Sequence, residues 1–216
     1  MGDEWFCDPA WGKADQEHFE EKLRRARPHS RPQYIRLKGL ALAGSKKRTE
    51  RRAAPDLLRR VIRAHSDDEL QAAMAWADLG RFYEDEGELE LAAEAYRSCL
   101  DAEANVSGGG LHTGSELGLA EVIVRAEWEH RYAEALALLE AAQEAGLTFK
   151  VERWRWLNAQ ARIAARTGQP PEAASFARDA LTLLDDPSPD FARHPDVGLI
   201  KPDRKTVREL QRLAST

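Results

Sequence analysis

Apolar residues recur along most of this chain at the spacing of a helix, most clearly between Trp76 and Ala104. Trp76, Leu79, Gly80 and Tyr83 fall at i, i+3, i+4 and i+7, so they share one helical stripe. Ala92, Tyr96 and Cys99 form a second stripe, and Glu86-Gly87 supplies the turn between the two. Gly80 and Ala92 are small where two helices would cross closely. The pattern predicts a helical hairpin.

Weaker copies flank it. Leu119, Val122, Ile123 and Ala126 repeat the first stripe, and Tyr132, Ala135, Leu139 and Ala142 the second. A later copy runs Leu157, Ala161, Ala164, the turn at Gly168, then Ala173, Ala177 and Ala180. An earlier one runs Tyr34, Leu37, Ala41, a basic turn from Gly44 to Arg52, then Ala54, Leu58 and Val61. The small residue of the second stripe recurs at Ala54, Ala92, Ala135 and Ala173, at intervals of 38, 43 and 38. Four hairpins are expected over roughly residues 32–187.

Punctuation agrees with this division. Ser66-x-x-Glu69 reads as a capping box, and Gly108-Gly109-Gly110 stops the helix through Leu100 before Thr113 or Ser115 caps the next. Pro170 and Pro171 suit a first helical turn, where a missing N–H costs little. Pro28 and Pro32 bracket a break after an N-terminal helix from Asp15 to Arg27, whose apolar side is Phe19, Leu23 and Ala26. Trp5, Phe6 and Trp11 are too apolar for a free tail and are expected to seal the first hairpin. Four segments follow: a capping segment (1–31), the hairpins (32–187), an extended linker (188–202) and a capping helix (203–216). That last helix starts at Asp203 and carries Val207, Leu210 and Leu213 on one face. No β alternation is visible, so the fold class is all-α.

Composition narrows the function classes. The 216 residues are 43% hydrophobic and 32% charged, which suits a folded chain. No apolar run reaches the length of a membrane helix, and the acidic start lacks a secretory pattern, so a cytoplasmic protein is expected. Cys7 and Cys99 are too few for a disulfide framework or a four-thiolate zinc site. The histidines His18, His29, His65, His112, His130 and His194 show no ligand pair at i, i+4, so no metal site is expected. Gly39-x-x-x-x-Gly44-Ser45-Lys46 has serine where a phosphate-binding loop needs lysine, so no nucleotide or other cofactor is expected. No nucleophile-and-base pattern stands out, so no catalytic residue is assigned.

The net charge of −5 conceals blocks. Residues 23–63 carry 14 basic and 2 acidic side chains, whereas residues 64–150 carry 5 and 19. Lys46, Lys47, Arg48, Arg52, Arg59 and Arg63 crowd one turn and the helix after it. They could bind phosphate on a nucleic acid without reading sequence. The acidic hairpins could equally absorb them, within one chain or in a dimer. The block contains no aromatic residue on which bases could stack.

The stretch from Trp76 through Gly87 and Ala92 to Cys99 resembles one tetratricopeptide repeat, with Ala104 in place of the terminal proline. The run Glu4-Trp5-Phe6, Pro9, Trp11, Phe19-Glu20, Leu23, Arg25 to Pro28 and Arg31 to Lys38 is similar to the start of small actinobacterial members of that family. The resemblance implies a TPR-like α-solenoid, a right-handed superhelix of about four hairpins with capping helices at both ends. It also implies a protein-protein interaction scaffold or adaptor whose concave groove holds a peptide or helix of a partner protein.

In such stacks the first helix of each pair lines the groove, with a stripe beginning two residues before the signature aromatic. That stripe is Met74, Ala77, Arg81, Glu84 and Asp85 in the best repeat, and Leu117, Ala120, Val124, Glu127 and Trp128 in the next. In the last it is Arg155, Asn158, Arg162 and Arg166. Arginine forks one turn apart suit carboxylates, and asparagine adds orienting hydrogen bonds. These arginines either contact a partner or neutralise the acidic hairpins beside them. The groove is expected to run from an apolar and acidic middle to a cationic end. Nucleic-acid binding through residues 44–63 is the alternative function, and self-association through the groove or the terminal helix is a further option.

Overall fold

The computed structural model describes residues 4–107, 110–186, 188, 190–191, 193 and 198–216. Every regular element among them is helical. The chain divides into two compact units, Met1–Ser115 and Glu116–Thr216.

The first unit holds α1 (Lys13–Arg25), α2 (Arg31–Ala43), the single turn α3 (Arg48–Arg51), α4 (Ala54–Ala64), α5 (Glu69–Glu86) and α6 (Leu89–Glu103). Helix α2 pairs with α4 and α5 pairs with α6, while α4 packs on α5 and joins the two hairpins. The α5–α6 seam is built as its stripes foretell: Leu79 and Tyr83 face a row of Ala92, Tyr96 and Cys99, all buried. Gly87, at φ 80°, takes the left-handed conformation that closes the turn, and Glu88 N donates to Tyr83 O at 2.8 Å.

The first hairpin differs from its expected register. Tyr34, Leu37 and Ala41 are only half-buried; the buried stripe of α2 is Ile35, Lys38, Gly39 and Leu42. A Cβ at Gly39 would lie 3.0 Å from Leu58, so this glycine is the true close crossing. The reason for the shift is Lys38. Its ammonium donates to Ala10 O at 3.1 Å and also to Asp8 O, and it lies 5.3 Å from the Trp11 ring and 5.8 Å from that of Phe19. Hydrophobic patterning does not place a lysine inside a seam. The N-terminal segment is thereby pinned onto α1 and α2, where Trp5 meets Phe19 at 5.2 Å and Phe6 stacks on Tyr34 at 4.9 Å.

Local signals shift by a few residues. Helix α5 is capped by Asp68, whose carboxylate accepts from Gln71 N at 3.1 Å, rather than by Ser66. Helix α1 begins two residues early because Asp15 accepts from Gly12 N at 2.8 Å. The turn at 44–52 is organised around buried Glu50, which accepts from Ser45 Oγ and from Lys47 Nζ at 3.1 Å. Helix α6 runs past Leu100 to Glu103, and the stop assigned to Gly108 and Gly109 lies outside the described residues.

The second unit contains α7 (Ser115–Arg125), α8 (Tyr132–Ala145), α9 (Lys150–Arg166), α10 (Pro170–Asp185) and α11 (Arg204–Ala214). Helix α7 starts one residue before the division. Helices α9 and α10 form the main hairpin, and α11 lies on α10 with a smaller contact to α9. Trp154, Ala161, Ala177, Ala180, Leu210 and Leu213 make their shared core. Asp203 caps α11 by accepting from Lys205 N at 2.7 Å and Thr206 N at 2.9 Å. Much of the expected linker, at 189, 192 and 194–197, lies outside the described residues. Its described part folds back on the start of α9, where Lys150 N donates to Asp190 Oδ2 at 2.9 Å.

Candidate functional site

Left-handed residues locate the turns of three hairpins: Gly87, Glu127 at φ 53°, and Gly168 at φ 74°. Seven positions before each stands a small buried residue, Gly80, Ala120 and Ala161. This alignment moves the third repeat. Its first helix, α7, is counted from Glu116 and not from Leu119, and Glu121 takes the place that Arg81 holds on α5 and Arg162 on α9.

On α5, Arg81 donates to Asp78 Oδ1 at 3.1 Å and to Thr113 O at 2.7 Å. Asp78 is buried and also receives Arg36 Nη1 at 2.7 Å, so one carboxylate joins α2 and α5 between two guanidinium groups. Glu84 accepts the Tyr96 hydroxyl at 2.8 Å, Met74 is half-buried, Ala77 is buried and Asp85 is exposed.

On α7 the expected apolar lining is not open. Leu117, Ala120 and Val124 are buried, as are Leu119, Val122 and Ile123, so the helix is enclosed nearly all round. Trp128 is half-buried, with the Arg131 guanidinium 4.9 Å from its ring. Glu127 pairs with Arg166 at 2.5 Å, and Glu129 approaches the same arginine at 3.6 Å.

The stripe of α9 stays together on one face. Arg155 pairs with Glu121 of α7, and Arg162 pairs loosely with Glu209 of α11 at 3.5 Å. Asn158 stands between them, one turn from each, and its amide oxygen is buried without a hydrogen-bond partner among the described residues. Beside the stripe opens a cleft of about 340 Å³ lined by Arg162, Ala165, Arg166, Pro170, Ala173, Glu209, Arg212 and Leu213 among others. Arginines are thus drawn toward acidic neighbours, and Arg162 and Arg166 also line the cleft.

The basic segment divides in two. Lys47 is bound to Glu50, and Arg59 to Asp56 at 3.6 Å and to the Tyr83 hydroxyl. Lys46, Arg48, Arg52 and Arg63 are exposed and make no ion pair among the described residues. Sequence spacing did not reveal the pairs Arg36–Asp78, Arg155–Glu121 and Arg162–Glu209, because their members stand far apart along the chain. Neither did it reveal Lys38, whose ammonium burial holds below the ordinary lysine range.

No group of three metal-binding side chains stands together among the described residues. Cys99 is buried with its thiol 3.2 Å from Ala73 O, and burial pushes its pKa up, away from a reactive thiolate. No helix among the described residues is long and apolar enough to cross a membrane.

A family model described as tetratricopeptide repeat matches residues 47–105 and 129–190, just over half of the chain. These segments span α3 to α6 and α8 to α10. No curated protein and no solved structure matches the chain.

Proposed function

The chain belongs to the tetratricopeptide-repeat family, and from that premise we propose that it is a non-catalytic scaffold or adaptor gripping a peptide or helix of a partner protein through the inner face of α9. Repeats of this family serve protein–protein interaction, which sets the class of activity. The residue assignment rests on the α9 stripe of Arg155, Asn158, Arg162 and Arg166.

The observation that carries it is Asn158. A buried amide oxygen without a donor among the described residues costs about 1–3 kcal/mol, a cost that a backbone N–H of a bound segment removes once the amide turns outward. Arg162 and Arg166, one and two turns further along the helix, line the cleft, where a carboxylate on the ligand would be met by charge-assisted hydrogen bonds. Glu209 competes for Arg162, so the resting ion pair at 3.5 Å acts as a placeholder that a better-placed carboxylate displaces. On α5, Arg81 and Glu84 are engaged by Thr113 and Tyr96, and their role is to hold the scaffold rather than to meet the ligand.

Affinity capture from the native host tests this. Arg155→Ala with Arg162→Ala loses the proteins that the wild type retains, while Glu209→Ala, which frees Arg162, retains more of them. Unchanged capture by both variants, with helicity intact, overturns the assignment.

A further inference from the structure

We propose that the α3–α4 elbow of one copy of this chain docks on the outer face of α6 of a second copy. The partner is the protein itself, and the contact is electrostatic.

Two faces of the first unit are left unmatched. One is the elbow, where Lys46, Arg48 and Arg52 are exposed and carry no ion pair among the described residues, as does Arg63 at the far end of α4. Elsewhere in this unit Arg36 meets Asp78, Arg51 meets Glu86 and Arg60 meets Glu20, while Arg24 and Arg27 are exposed without an ion pair among the described residues. The other face belongs to α6. Glu90, Glu94 and Asp101 lie at i, i+4 and i+11, and Glu88 precedes the helix. All four are exposed with no ion pair among the described residues. Leu91, 40% exposed, adds an apolar edge to this face. Arg97 is its one cation among the described residues, and that side chain has an interaction of its own.

Glu90 and Glu94 sit one turn apart, a like-charge arrangement that destabilises a helix. Arginines brought against them would reverse the sign of that term. Both faces belong to one compact unit, and none of the four cations reaches any of the four carboxylates within it. A match between the two faces can therefore be made only from outside the unit. A polyanion would satisfy the elbow alone and leave the acidic face unexplained, and the elbow has no aromatic residue for stacking. A second copy accounts for both faces at once.

The test uses the full chain and sedimentation velocity across a concentration series. The wild type is expected to self-associate at about 0.1 M salt and to weaken by at least about tenfold at about 1 M, where the Debye length has shrunk to about 3 Å. Arg48→Glu with Arg52→Glu is expected to be monomeric, and so is Glu90→Lys with Glu94→Lys. An equimolar mixture of the two re-forms the complex, because each reversed face again meets its opposite. These positions are exposed, so circular dichroism should show unchanged helicity. A wild type monomeric at every concentration overturns the proposal, as does a mixture that stays monomeric. Retention of nucleic acid by a monomeric wild type assigns the elbow to phosphate instead.

Discussion

Gly80 lies against the ring of Tyr96 so closely that a Cβ at position 80 would stand 2.5 Å from the ring carbons. The α5–α6 crossing is set by this contact. Replacing Gly80 with alanine forces Tyr96, whose hydroxyl is tied to Glu84, out of its place. A loss of about 1–3 kcal/mol is expected, read from the denaturant midpoint. Gly39→Ala, which meets the movable Leu58 methyl at 3.0 Å, should cost less.

Glu127 holds a left-handed conformation at the position where the neighbouring repeats place glycine. Such a conformation costs a non-glycine residue about 1–2 kcal/mol. Glu127→Gly and Glu127→Ala both delete the ion pair to Arg166, so their difference isolates the backbone. The glycine variant is expected to be more stable than the alanine variant by about 1 kcal/mol in urea unfolding.

Lys38 is buried beneath Trp11 and Phe19, and desolvation lowers its pKa. The unfolded chain therefore holds that proton more tightly than the folded chain. Stability gains from this group as pH rises through the folded value toward the ordinary lysine value of about 10. Lys38→Met should abolish that rise, which denaturation at several pH values measures. It should also free the N-terminal segment from its carbonyl anchors, raising protease cleavage around residues 4–12.

Asp203 is held below the usual carboxylate range by hydrogen bonds from Thr206 and Lys205. Its contribution is complete above the ordinary aspartate pKa and disappears as pH falls through the folded value. Asp203→Ala should loosen α11 by about 1 kcal/mol at neutral pH, with faster amide exchange across Arg204–Ala214.

The architecture was legible because alanine, glycine and aromatic residues repeat at helical spacing, and seams such as Ala92–Tyr96–Cys99 follow from that spacing directly. The register of the first hairpin was not, because it depends on a lysine buried by backbone carbonyls contributed from the N-terminal segment. The α7 register slipped for a similar reason: a glutamate occupies a turn that glycine marks elsewhere, so no sequence signal fixed it. The α9 stripe was visible as a periodicity. Its partners Glu121 and Glu209 were not, since they are chosen by tertiary packing.

Amide hydrogen exchange on the full chain, with and without the partner recovered by capture, tests most directly where the ligand sits. The account predicts that added protection concentrates in Lys150–Arg166, around Asn158 and Arg162. Protection confined to other helices, with α9 exchanging as in the free chain, would contradict it.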